Sequence, residues 1–292
     1  MPTIVRPRRS VLFMPGSNAR AAEKARSLPT DALVLDLEDA VAPEAKADAR
    51  EQISATLKEG GFGPREVVVR TNAPDTPWFE ADLAFVGRAS AQGTGPDAVL
   101  VPKISDPETL IAIGRRLDAL GAASALRVWA MIETPMAVLK ALDIALASRN
   151  PVTRLAVLAL GTNDLSKETG TRIVPGRAPM LSWLSHCVLA ARAGGVGILD
   201  AVWNNFRDLD GFARECAQAA DLGFDGKTLI HPSQIEACNA AFSPPVAEVE
   251  EARALIALFD RPENAGKGVV QIEGRMVERM HADIARRTVA LA

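Results

Sequence analysis

Eight short apolar runs recur along this chain with helix-like segments between them, and most of them end at a charged residue. Runs of Val, Leu, Ile and Met without polar alternation read as strands buried on both faces, the habit of parallel sheets. Parallel strands need long crossovers, so the intervening helices follow from the strands. In order, the runs are Ser10 to Met14 (stopped by Pro15-Gly16), Ala32 to Leu37, Glu66 to Arg70, Ala98 to Lys103, Val128 to Thr134, Leu155 to Asp164, Val196 to Asp200 and Asp225 to Ile230. Ser17 or Asn18 caps a helix through about Arg26, and Pro43 opens the next. Ser105 to Glu108 reads as a capping box.

Eight βα units predict an α/β fold, a closed TIM (β/α)8 barrel, which takes about 250 residues; the chain has 292. The competing fold is an open doubly wound sheet. It would bring a glycine-rich phosphate turn after its first strand, and Pro15-Gly16-Ser17-Asn18 does not fit GxGxxG. The barrel is assigned to residues 1–242. Residues 243–292 form a C-terminal helical extension, which packs on its own barrel or over a neighbour's mouth. Within it, Pro244-Pro245 starts a helix through about Phe259, Val269 to Ile272 is strand-like, Gly274 marks a turn, and Met276 onward reads as helix.

A net charge of -3 argues against a nucleic-acid binder. No apolar run reaches the roughly 20 residues of a membrane helix, and none near Arg6, Arg8 and Arg9 suits a signal peptide. Cys187, Cys216 and Cys238 lack CxxC spacing, so reduced thiols in a cytoplasmic protein are expected rather than disulfides or a zinc site. His186, His231 and His281 also lack metal-ligand spacing.

In a barrel of this kind the C-terminal strand ends build the active site. There the sequence places Glu38 and Asp39, Arg70, Lys103, Glu133, Asp164, Asp200 and Lys227. Mg²⁺ takes oxygen ligands and commonly only one or two carboxylates, a count that Glu133 and Asp164 fit. Capping of the following helices explains the same two acids equally well. Arg70 suits a forked contact to a carboxylate or oxyanion, or else an ion pair with Glu38. Asp36, Glu38 and Asp39 crowd one strand end, where like charges raise one another's pKa unless a cation sits among them. Lys24, on the first helix, reads as a surface charge.

The runs Arg9 to Ser17, Asp36 to Pro43, Val69 to Asn72, Val101-Pro102-Lys103, Ile132-Glu133-Thr134, Gly161 to Leu165 and Gly226 to Pro232 resemble the citrate lyase β-subunit-like branch of the HpcH/HpaI aldolase family. That branch includes malyl-CoA and citramalyl-CoA lyases. The resemblance covers nearly the whole chain in order. It implies a TIM barrel, Mg²⁺ (with Mn²⁺ as a substitute) on Glu133 and Asp164, and a homotrimer or dimer of trimers. It also implies that Arg70 contacts the acyl or keto-acid group, that Lys24 contacts coenzyme A, and that Glu38, Asp39 and Lys103 support the substrate. Lyases of this branch carry a lid whose Gly-Lys-Met-(apolar)-Asp motif lends an acid to the neighbouring subunit. Gly274 to Glu278 matches it, with Glu278 in place of Asp.

The implied function is reversible Claisen-type cleavage of a 3-hydroxyacyl-CoA such as malyl-CoA, giving acetyl-CoA or propionyl-CoA and a keto acid such as glyoxylate. Glu278 is the acid–base and Arg70 the charge stabiliser. One alternative is a thioesterase that hydrolyses malyl-CoA at the same metal; the longer Glu278 either leaves lyase chemistry intact or favours hydrolysis, and the runs Gly161 to Glu168 and Asn205 to Asp208 resemble malyl-CoA lyase-like and malyl-CoA thioesterase members alike. Others are a citrate lyase β subunit acting on an acyl carrier, a CoA-independent pyruvate aldolase, and a barrel used only for binding. The partners expected are a CoA thioester and a small keto acid, with no nucleic acid and no membrane.

Overall fold

A computed structural model describes residues 6–272 and 274–291. The chain divides into two compact units, one made of Arg8–Ala241 and the other of the residues outside that span.

The first unit is the expected closed barrel. Its strands are β1 (Ser10–Pro15), β2 (Ala32–Asp36), β3 (Glu66–Arg70), β4 (Ala98–Val101), β5 (Arg127–Ile132), β6 (Leu155–Leu160), β7 (Gly197–Asp200) and β8 (Gly226–Leu229). They pair in parallel in chain order, and β8 returns to β1 through Ser10↔Lys227, Val11↔Thr228 and Leu12↔Leu229. The helices that matter here are α1 (Ala19–Ala25), α2 (Lys46–Glu59), α3 (Pro107–Ala119), α4 (Pro135–Leu139), α5 (Thr162–Thr169) and α6 (Leu209–Leu222). Asn18 caps α1 by accepting from the Ala21 amide. The box read at Ser105 to Glu108 is a single cap. Asp106 accepts from the Thr109 amide at 2.7 Å, while the Ser105 hydroxyl pairs with that of Thr134.

The inner face of the barrel is one apolar cluster that includes Ala32, Val34, Val68, Leu100, Trp129, Met131, Ala159 and Leu199. Trp129 is fully buried, and the Arg8 guanidinium lies 5.3 Å from its ring centre. Strand side chains alternate between faces, so each inward stripe can be counted forward. Two residues after Val34 comes Asp36, two after Val68 comes Arg70, and two after Met131 comes Glu133. These three side chains therefore continue the core into the mouth. The same count sends Asp200, beside inward Leu199, and Lys227, beside Thr228, to the outer face.

Several strands end earlier than the sequence suggests. β4 stops at Val101 because the backbone turns left-handed at Lys103 (φ 55°). β5 ends before Glu133. β6 ends at Leu160, so Asp164 lies in the first turn of α5.

The second unit holds α7 (Val246–Phe259), an antiparallel hairpin of β9 (Val269–Ile272) and β10 (Arg275–Glu278), and α8 (Arg279–Leu291). Gly274 turns the hairpin at φ 81°, a conformation glycine adopts without a Cβ penalty. The extension is thus not wholly helical. Met276 to Glu278, read as helix from sequence, pair as a strand because Val277 packs with Phe259, Val270 and Ala282. No helix among the described residues is long and apolar enough to cross a membrane.

Candidate active site

A cavity of about 360 Å³ opens at the C-terminal end of the barrel, walled by Phe13, Asp36, Asp39, Arg70, Met131, Glu133, Asp164 and Asn204 among others.

Arg70 is the cation of the mouth. Its Nε and Nη2 each donate to an Asp36 carboxylate oxygen at 2.6 Å, a forked pair. Its Nη1 reaches Glu38 at 2.8 Å and Asp39 at 3.6 Å, and its guanidinium lies 4.8 Å from the Phe13 ring centre. Burial alone would lower the Arg70 pKa, but Asp36 and its neighbours outweigh it and raise it. The ion pair with Glu38 foreseen from sequence is present, yet Asp36 holds the stronger claim. Glu38 is left with a share of a charge already spent. Burial, aided by Glu133 and Asp39, pushes it up to about 8 despite Arg70.

Glu133 and Asp164 line the same cavity. Neither caps a helix. Thr134 caps α4 by accepting from the Ala137 amide at 3.0 Å, and α5 starts at Gly161 with no side-chain cap. Glu133 is 2% exposed, and its Oε1 accepts from the Lys103 main-chain N–H at 2.8 Å. Burial and then the charge of Asp164 push the Glu133 carboxyl up to about 7. Two carboxylates held close in a pocket short of positive charge are a donor set for a hard divalent cation. No cluster of three or more His, Cys, Asp or Glu suited to a metal occurs among the described residues. The pair therefore fits an ion that keeps water or substrate oxygens in its shell, as Mg²⁺ does.

The other expected site residues are scattered. Lys103 is exposed, and its visible contribution is the main-chain N–H. Lys24 is exposed in the last turn of α1. Glu278 ends β10 in the second unit and is exposed. Asp200 and Lys227 do not belong to the mouth. Lys227 Nζ donates to Asp200 and Glu215 at 2.7 Å each, and Arg177 joins Asp200 at 2.7 Å, all between the outer sheet face and α6.

Asp36, expected with Glu38 and Asp39 as a partner of Arg70 and Lys103, is the residue that orients Arg70. Sequence reasoning passed over one residue. Lys46 is buried at the start of α2, its Nζ donating to the Leu37 and Glu38 carbonyls at 2.7 Å. A lysine at a helix N-terminus opposes the helix dipole, and that oddity was the available signal.

The model of the HpcH/HpaI aldolase/citrate lyase family matches residues 9–232. The chain is 46% identical to a (3S)-malyl-CoA thioesterase of Cereibacter sphaeroides strain KD131, over 98% of this chain and 95% of that one. It is 33% identical to the citrate lyase subunit beta of Escherichia coli K12, over 98% and 94%. Among solved structures, CitE of Mycobacterium tuberculosis in complex with magnesium, acetoacetate and coenzyme A aligns with TM-score 0.71 and 29% identity, covering 97% of both chains.

Proposed function

This chain belongs to the HpcH/HpaI aldolase/citrate lyase family, and we propose that its barrel mouth is a Mg²⁺-dependent site for a malyl-CoA-like thioester, which it hydrolyses to malate and free coenzyme A. The observation that carries the site is that Glu133, Asp164 and Arg70 line one cavity of about 360 Å³, with the charge of Asp164 acting on Glu133. The choice of hydrolysis rests on the 46% identity to the malyl-CoA thioesterase. Magnesium in the complex of CitE supports the choice of ion.

Glu133 and Asp164 would hold the ion. When bound, Mg²⁺ supplies a Lewis acid that polarises substrate oxygens and offsets developing negative charge. Asp36 and Glu38 occupy three of the five guanidinium N–H groups of Arg70 and Met131 Sδ weakly accepts from Nη1 at 4.0 Å, so a donor on Nη2 remains for the acyl carboxylate. The Asp36 fork and the Phe13 face fix the plane of that guanidinium, so its donors are aimed before substrate arrives. Lys24 is assigned to the anionic end of coenzyme A. Glu278 from a neighbouring subunit of a trimer, or of a dimer of trimers, is assigned the proton from the attacking water. Glu38 and Asp39 serve through Arg70, and Lys103 through its amide.

Reversible carbon–carbon cleavage is the second reading, favoured by the 33% identity to citrate lyase subunit beta. There Glu278 would protonate the carbon of the thioester enolate. Malyl-CoA, methylmalyl-CoA and citramalyl-CoA incubated with enzyme and Mg²⁺ separate the two. Free thiol with malate and no glyoxylate is the expected result. Glyoxylate with acetyl-CoA and no free thiol establishes the lyase, and neither product from any ester refutes both.

A further inference from the structure

Two backbone features of the mouth converge on Glu133. The first is Lys103, whose φ of 55° puts a residue with a full side chain in the left-handed region. That conformation costs about 1 kcal/mol or more and persists where surrounding contacts require it. Here it carries the Lys103 N–H to Glu133 Oε1 at 2.8 Å.

The second is Gly161, between β6 and α5. Its φ of -120° and ψ of 81° do not demand glycine. Space does. A Cβ at this position would stand 2.5 Å from Glu133 Cβ and 2.5 Å from Glu133 Oε2, closer than real Cβ contacts come. Neither partner can yield cheaply. The Gly161 amide donates to the Ile132 carbonyl at 3.2 Å, tying it to the end of β5. Its own carbonyl accepts from Leu165 at 3.2 Å, tying it to the first turn of α5. That turn carries Asp164.

We propose that Gly161 is a positioning residue for the Glu133–Asp164 pair. Its missing side chain lets the first turn of α5 seat against the Glu133 carboxylate and so sets how far apart the two acids stand. The strained Lys103 main chain holds the other carboxylate oxygen. The pair is thereby oriented before an ion arrives. This inference rests on the assignment of Glu133 and Asp164 as Mg²⁺ ligands.

Calorimetric Mg²⁺ titration and Mn²⁺ spin-resonance titration of the full chain without substrate test it, with melting of the metal-free proteins alongside. Wild type is expected to bind one ion, and folded Gly161→Ala to bind it about ten- to a hundredfold more weakly, with a melting temperature below that of wild type. Equal affinity in both overturns the role of Gly161. No binding by wild type instead overturns the metal assignment itself. If Gly161→Ala does not fold, the double variant Gly161→Ala, Glu133→Gly decides: recovery of folding locates the clash at the Glu133 side chain, and continued failure refutes it.

Discussion

The barrel holds two clusters of charge, and they are built on opposite terms. Behind β7 and β8, Arg177 and Lys227 face Asp200 and Glu215, two cations for two anions, all nearly or fully buried. Burial alone would raise the Asp200 pKa, but Lys227 and Arg177 more than reverse it; Lys227 is likewise raised by Asp200 and Glu215 against its own burial. At the mouth, Arg70, with Lys46 and Lys103 nearby, is set among five acids, Asp36, Glu38, Asp39, Glu133 and Asp164, and there the carboxyls of Glu38 and Glu133 are still pushed up. A buried cluster that balances its charges is complete and serves the fold. One that does not is short of a cation, and that deficit is what the proposed Mg²⁺ would fill.

The sharpest break of this contrast is Glu133→Gln. It is expected to cost roughly 10³-fold or more in kcat/KM on the thioester that wild type turns over, the scale of losing a transition-state charge stabiliser. The metal-free variant should melt no lower than wild type, because one of two crowded anions is gone. Near-normal turnover would remove Glu133 from the chemistry.

Lys227→Met should do the reverse. Asp200 keeps Arg177, but Glu215 loses its 2.7 Å partner, and breaking a buried pair in this way costs about 3–5 kcal/mol. Urea unfolding measures this, and the fraction that stays folded should retain its kcat. A variant as stable as wild type would show that the outer cluster is not a structural lock.

A smaller effect comes from pH. Glu38 titrates at about 8 in the folded chain, against an ordinary value of 4.5. The folded state thus holds a proton that the unfolded state has released, so the contribution of Glu38 to stability is full below 4.5 and is lost as pH rises through about 8. Glu38→Gln should flatten that decline in metal-free melting curves between pH 5 and about 8. An unchanged slope would mean that Arg70 keeps Glu38 ionised.

Much of the mouth was legible in the sequence because strand length and exit chemistry are local. Arg70 sits where three valines end, and Glu133 two residues past Met131; both line the cavity. Asp164 reaches it too, though from the first turn of α5 rather than from a strand. Asp200 and Lys227 look the same in sequence and lie elsewhere. Strands buried on both faces lack the polar alternation that would mark inside from outside, so one residue of phase decides between mouth and outer wall. The strand at Met276 to Glu278 was missed although the Gly274 turn was read, because what makes it a strand is the packing of Val277 against Phe259, Val270 and Ala282.

The order of apolar runs and crossovers was enough to determine eight parallel strands, since only helices on the outside can cover a sheet buried on both faces. It also set which acids and bases stand near strand ends. Tertiary structure alone decided which of them share a cavity, because closing β8 onto β1 fixes the phase of every strand at once. It alone turned Lys103 from a side chain into an N–H donor, and Gly161 from a loop residue into the space that Glu133 occupies. Both depend on atoms that chain order keeps apart and only packing brings together.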